Sequence, residues 1–124
     1  LYKFNIKGFL HWGYNFYYSK LSKSLIDPFT VTDAGGAFPS GDSFVVYPSK
    51  EGTPFHSIRL KVFYDALQDM AALNTLEKLT NETECLNIIE DNNKHSITFF
   101  DYPHSNEWLL NTRENINSKI KANL

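Results

Sequence analysis

The sequence predicts an α/β fold in which two parallel strands are followed by helices, and three observations predict it. Two short runs, residues 8–14 and 43–47, carry apolar side chains on both faces. Parallel strands covered on both sides read this way, whereas a half-solvated antiparallel strand alternates polar and apolar. From Ser57 onward the apolar period changes from that of a strand to that of a helix. A chain of 124 residues is one domain at most, with enough length for a real core.

The first run is Gly8-Phe9-Leu10-His11-Trp12-Gly13-Tyr14-Asn15. In α/β sheets, ligands sit outside the carboxyl ends of the strands, which draws attention to Trp12, Tyr14 and Asn15. An indole and a phenol can stack on the C–H face of a sugar ring, and an amide can pair with hydroxyls as donor and acceptor. The competing reading makes Trp12 and Tyr14 core residues and Asn15 a strand end. The long connection 16–42 is broken by Asp27-Pro28 and Gly35-Gly36, yet its Phe16, Tyr17, Tyr18, Phe29 and Phe38 argue against disorder. It reads as an ordered loop over the sheet end, with a short helical turn near residues 22–26. Asp33 in this loop has no assigned direction, and Gly35-Gly36 is expected to supply positive φ in a turn.

The second run, Ser43-Phe44-Val45-Val46-Tyr47, is closed by Pro48 and the turn Ser49-Lys50-Glu51-Gly52. Laid parallel to the first run, it puts Tyr47 on the same rim as Trp12, Tyr14 and Asn15. The same geometry leaves Asp42 at the opposite, amino end, as a turn or cap residue. Ser57 is the expected N-cap of a helix running to about Leu79, with Ile58, Val62, Ala66, Met70 and Leu73 in one stripe and Phe63, Leu67 and Leu76 beside it. Asn81 with Glu84 makes a capping-box-like start for a second helix through Glu90. The triplet Asn81-Glu82-Thr83 also fits a glycosylation acceptor, but capping explains Asn81 better. Asp91-Asn92-Asn93-Lys94 reads as a turn and residues 97–100 as a short extended piece. Ser105 caps a last helix containing Trp108, Leu109, Ile116 and Ile120.

Composition excludes several functions. A net charge of −2 gives no reason to invoke nucleic acid or an anionic membrane. No apolar run approaches the length of a bilayer span. Aromatic residues make up 15% of the chain, which favours a thick core or a site for a flat ligand. Cys85 is the one cysteine, so no intrachain disulfide forms. His11, His56, His95 and His104 are scattered without ligand spacing, no glycine-rich phosphate loop opens a helix, and nothing calls for a metal or other cofactor. Two strands and one long helix do not close a parallel sheet, and the chain starts in mid-pattern at Leu1, so a fragment of a larger fold is expected.

Four blocks carry a resemblance: the run from Gly8 to Asn15; Asp27-Pro28-Phe29; Pro39-Ser40-Gly41-Asp42-Ser43-Phe44-Val45-Val46-Tyr47-Pro48; and Ser57-Ile58-Arg59-Leu60 leading to Asp65-Ala66-Leu67-Gln68-Asp69. In order and spacing they resemble the C-terminal part of the family called domain of unknown function 4091, itself similar to the catalytic domain of glycoside hydrolase family 123. The resemblance implies a (β/α)8 TIM-type barrel of which this chain is about the last quarter, with the end of a helix at residues 2–5, two late strands and a closing helix, and with residues 80–124 as a C-terminal helical extension. It also implies a substrate-assisted, retaining β-N-acetylgalactosaminidase-like activity, in which an adjacent Asp-Glu pair orients the acetamide and serves as acid/base. This chain contains no Asp-Glu dipeptide. The resemblance therefore implies no catalytic residue here. It casts Trp12, Tyr14, Asn15 and Tyr47 as the wall of a sugar pocket, a glycan containing N-acetylhexosamine as ligand, and the N-terminal remainder of the same barrel as partner.

Two other readings stand beside it. A non-catalytic carbohydrate-binding or structural module needs only the aromatic wall. A serine esterase would use Ser43 of Gly41-Asp42-Ser43 with Asp101 and His104 of Asp101-Tyr102-Pro103-His104, although Ser43 opens a strand where that chemistry needs a serine at a strand's carboxyl end.

Overall fold

The computed structural model describes residues 1–90 and 96–124. The turn expected at residues 91–94, and His95, lie outside the described residues. The chain divides into two compact units, one of Gly8–Asp65 and one of Leu1–Lys7 with Ala66–Leu124.

In the Gly8–Asp65 unit, residues 8–14 form no ladder. Phe9 is exposed and Leu10 is 93% exposed, so the buried central strand expected here is not present within this chain. Pairing begins only at the end of the run, where an antiparallel bridge joins Asn15 to Phe44. Phe16 N–H donates to the Ser43 carbonyl at 3.0 Å and Val45 N–H to the Tyr14 carbonyl at 2.8 Å. The regular strands are β1 (Val46–Tyr47) and β2 (Phe55–His56), paired antiparallel with Val46 opposite His56 and Tyr47 opposite Phe55. The parallel arrangement of the two predicted runs is thus replaced by antiparallel contacts. A parallel return needs a crossover, and residues 16–42 fold as turns with a single 3₁₀ turn rather than a crossover helix; the short connection after Tyr47, containing Pro48 and Gly52 at φ +80°, makes the separate β1–β2 hairpin. Phe55-His56 is too short a run to have declared itself as a strand beforehand.

The connection 16–42 is ordered, and its turns follow from local chemistry. Tyr18 bridges Leu25 around a 3₁₀ turn at Lys20–Ser22, earlier than the turn expected near residues 22–26. The Asp27 carboxylate accepts from Phe29 N–H and the Asp33 carboxylate from Gly35 N–H, each at 3.0 Å, so Asp33 is a turn residue. Gly35 and Gly36 take φ +73° and +79°, the left-handed region that lacks a steric penalty only for glycine.

Helix α1 (Ile58–Leu79) starts and stops as the sequence predicts. Ser57 is buried; its hydroxyl accepts from Leu60 N–H at 3.2 Å and donates to the Val45 carbonyl at 2.6 Å, tying the helix start to the chain beside β1. Of the predicted apolar stripe only Leu73 is buried, with Leu76 from beside it, while Ile58 is 74% exposed and Val62 and Leu67 are exposed too.

The other unit is built by local caps and one core. Asn81 Oδ1 accepts from Glu84 N–H at 2.9 Å and opens α2 (Glu82–Glu90); Ser105 accepts from Trp108 N–H at 3.1 Å and opens α3 (Asn106–Ala122). Leu73, Leu76, Cys85, Ile88, Ile89 and Ile116 pack together, with Tyr2 and Ile97 against them, so residues 80–124 share a core with the end of α1. Residues 97–100 form a turn rather than an extended piece, because Thr98 Oγ1 accepts from Phe100 and Asp101 N–H.

Lys3 joins the segments of this unit by donating to Glu90, Ser96 and the Ile97 carbonyl. Its ammonium, ahead of the opposing effect of burial, holds the Glu90 carboxyl below its ordinary value, and Ser96 and Ile97 N–H add to this. A carboxyl lowered on folding stabilises the fold above the unfolded glutamate value of 4.5, and that stabilisation is lost as pH falls through the folded value. Urea midpoints measured from neutral pH downward should therefore drop more steeply for the wild type than for Lys3→Met, and parallel curves would refute the assignment.

Candidate functional site

The predicted site residues all lie in the Gly8–Asp65 unit, in two aromatic clusters. Trp12 is 48% exposed and heads the first. Its ring packs on Phe38 at 4.6 Å and Phe16 at 5.5 Å, and Phe16 continues to Tyr18 at 5.7 Å. The indole N–H donates to Asp42 Oδ2 at 3.0 Å. One edge of the ring is therefore fixed while about half of the residue stays exposed. Trp12 is not a closed core residue within this chain.

Gly13 explains why the indole reaches Asp42. The residue is buried, and a Cβ built there would lie 2.4 Å from the Asp42 carbonyl oxygen and 2.7 Å from Ser43 backbone atoms. Two backbone segments are thus in direct contact, which only glycine permits. Tyr14 and Asn15 follow with exposed side chains, and their backbone makes the pairing to residues 44 and 45.

Tyr47 heads the second cluster. Its ring stacks on Phe29 at 5.0 Å and meets the edge of Phe44 at 5.2 Å. Phe44 is fully buried, and Tyr17 packs on it at 5.8 Å while donating its hydroxyl to the Val46 carbonyl at 2.8 Å. Burial raises the Tyr17 phenol above its ordinary value, which keeps it a donor. Arg59 donates twice to the Phe44 carbonyl, from Nε at 3.2 Å and Nη2 at 2.8 Å, and Nη2 also lies 3.5 Å from the Tyr47 hydroxyl. The guanidinium sits 5.5 Å from the Phe44 ring and 5.9 Å from the Tyr47 ring, within cation–π range.

Asp42 is a turn residue as the sequence predicts, its N–H donating to the Pro39 carbonyl at 3.0 Å. It meets Trp12 instead of lying at the opposite end, and Trp12 and Tyr47 stand in separate ring clusters rather than on one rim, because the two runs meet antiparallel. The bond of Asp42 to Trp12 and the role of Arg59 were not legible beforehand. Partners 30 and 12 residues apart leave no periodic signal, and only the tight grouping of Gly41-Asp42 before an apolar run hinted at a specialised turn. Beside this turn lies an open cavity of about 350 Å³ lined by His11, Gly41, Asp42, Arg59, Val62 and Phe63 among others.

The residues of the esterase reading lack the required geometry. Ser43 is fully buried and its hydroxyl has no hydrogen-bond partner among the described residues, while His104 packs on Tyr102 at 4.4 Å. Among the described residues no group of three His, Cys, Asp or Glu side chains is placed to hold a metal ion. No helix among the described residues is long and apolar enough to cross a membrane.

A half-exposed indole, backed by other rings and fixed at its polar edge, is the kind of surface that takes a flat polar ligand such as a sugar ring. The family Glycoside hydrolase 123, catalytic domain, matches residues 1–76, and the chain belongs to that family. The match covers all of Gly8–Asp65 and most of α1. No curated protein matches the chain.

The contact at Gly13 is directly testable. Gly13→Ala forces the two backbones apart and should destabilise the protein by about 1–3 kcal/mol, the usual scale of overpacking. Denaturant unfolding of the full-length protein checks this, and an unchanged midpoint would show that the two segments separate without cost.

Proposed function

We propose that this chain is the C-terminal portion of a (β/α)8 glycoside hydrolase and that Trp12, Tyr14, Asn15 and Tyr47 form part of the wall of its sugar pocket. The observation that carries the reading is the Trp12 indole, half exposed, backed by Phe38 and fixed by Asp42, in a chain of a glycoside hydrolase catalytic family. The four sequence blocks that resemble domain of unknown function 4091 support the same assignment. The substrate class is a β-linked N-acetylhexosamine, with N-acetylgalactosamine the first candidate, and the chemistry is substrate-assisted hydrolysis with retention. The acetamide oxygen attacks the anomeric carbon and the leaving oxygen takes a proton from a carboxylic acid. The N-terminal remainder of the same barrel supplies the Asp-Glu pair for those steps. What residues 8–65 contribute is binding: aromatic faces for the ring's C–H groups and the Asn15 amide for hydroxyls.

The absence of an Asp-Glu pair from this chain also fits a second reading, a carbohydrate-binding module that does no chemistry. Expression of the 124-residue chain and of the full-length protein separates the two. The chain alone should leave a chromogenic β-N-acetylgalactosaminide unhydrolysed while the full-length protein turns it over; a full-length protein that binds the sugar without turnover supports the module. Turnover by the short chain that disappears in Ser43→Ala would revive the esterase chemistry and overturn both. Within the full-length protein, Trp12→Ala should weaken sugar binding by about 1–3 kcal/mol, the scale of burying an aromatic face. If instead stability falls by about 3–5 kcal/mol and the folded fraction binds as before, Trp12 is a core residue and the pocket assignment fails.

A further inference from the structure

Resting on the sugar-pocket reading, we propose that the Gly41-Asp42 turn is the positioning element of the aromatic wall, fixing Trp12 through the Asp42 carboxylate and Tyr47 through Arg59. Trp12 has rotational freedom about its side-chain bonds, and packing on Phe16 and Phe38 alone leaves the indole able to slide on apolar rings. The hydrogen bond to Asp42 Oδ2 at 3.0 Å removes that freedom by anchoring the polar edge. A charged acceptor makes such a bond stronger than a neutral one.

Gly41 acts on the other cluster. Its φ of +80° belongs to the left-handed region, and a Cβ there would lie 2.6 Å from Arg59 Nη1 and 2.7 Å from Cζ. The guanidinium therefore occupies the space that any other residue at position 41 would fill. From there it donates twice to the Phe44 carbonyl and reaches the Tyr47 hydroxyl. Two adjacent turn residues thus bear on two aromatic rings from separate clusters, Asp42 by holding the indole and Gly41 by leaving room for Arg59. Asp42 and Arg59 are positioning residues, acting through Trp12 and Tyr47 rather than on the sugar.

The test is a pair of double-mutant cycles in the full-length protein, titrated with N-acetylgalactosamine and with folding checked by thermal unfolding. Asp42→Ala should weaken binding about 5- to 50-fold, and Asp42→Asn, which keeps an acceptor for the indole N–H, should recover most of the loss. In a Trp12→Phe background, which has no N–H to hold, Asp42→Ala should add less than about 3-fold. Arg59→Lys, which loses the planar fork, should weaken binding in wild type and add little in a Tyr47→Phe background. The indole N–H resonance of Trp12, identified by its loss in Trp12→Phe, should move in Asp42→Ala and stay near its place in Asp42→Asn. If Trp12→Ala weakens binding while the Asp42 and Trp12 effects multiply independently, the positioning role is overturned and the pocket stands. If Trp12→Ala and Tyr47→Phe both leave affinity unchanged, the pocket reading itself fails and takes this inference with it.

Discussion

The backbone contact at Gly13 is the constraint on which the Gly8–Asp65 unit depends. With no side chain at position 13, the incoming chain lies directly against residues 42 and 43. It brings Phe16 N–H to the Ser43 carbonyl and Val45 N–H to the Tyr14 carbonyl, and these bonds carry Phe44 into full burial. The Val45 carbonyl then receives the Ser57 hydroxyl, whose oxygen in turn caps α1. One glycine, one buried phenylalanine and one buried serine thus form a continuous path from the first predicted run to the helix start. The two aromatic clusters flank this path, Trp12 immediately before Gly13 and Tyr47 at the end of β1.

How much was legible beforehand divides cleanly by range. The three helices and their caps at Ser57, Asn81 and Ser105 follow from residues within one turn of each other, and the structure places each cap as the sequence implies. The turn roles of Asp27, Asp33, Gly35 and Gly36 are local in the same sense. Strand direction is not local. Apolar residues on both faces announce coverage on both sides, but nothing in residues 8–14 or 43–47 states which edges meet; their antiparallel contact at Asn15 and Phe44 depends on the turns of residues 16–42, and β1 pairs instead with Phe55-His56. The candidate site divides likewise: the aromatic residues and the turn at Asp42 stand out by type, while the bonds from Trp12 to Asp42 and from Arg59 toward Tyr47 do not, because those partners are distant in sequence.

The two units rest on different physics. In the unit containing α2 and α3, caps and apolar contacts between helices close a small core around Leu76 and Cys85, both fully buried. Tyr2 is held there by a 2.8 Å bond to Glu77, and burial with the neighbouring Cys85 and Glu77 pushes its phenol well above the ordinary value, so it stays a neutral donor. The Gly8–Asp65 unit instead has much of its mass in turns held by backbone and carboxylate hydrogen bonds, with aromatic rings stacked between them. Rings fixed by turns suit a binding surface, since each can be aimed separately without disturbing a regular ladder.

Leu10, at 93% exposure, and Ile58, at 74%, belong to runs whose pattern announces burial, and the discrepancy bears on the barrel proposed above. Burying a leucine or isoleucine side chain stabilises a fold by about 1.5–3 kcal/mol, and within this chain neither residue contributes that. In the proposed barrel, a strand bearing Leu10 would gain neighbours on both edges, and a helix bearing Ile58 and Val62 would gain a sheet to lie on. The same closure would convert the isolated bridge at Asn15 into one end of a ladder, holding Trp12 and Tyr14 at a strand terminus rather than on a free loop. In the proposed barrel the proposed pocket wall would draw its rigidity from two sources, the turn at Gly41-Asp42 within this chain and the neighbouring strands.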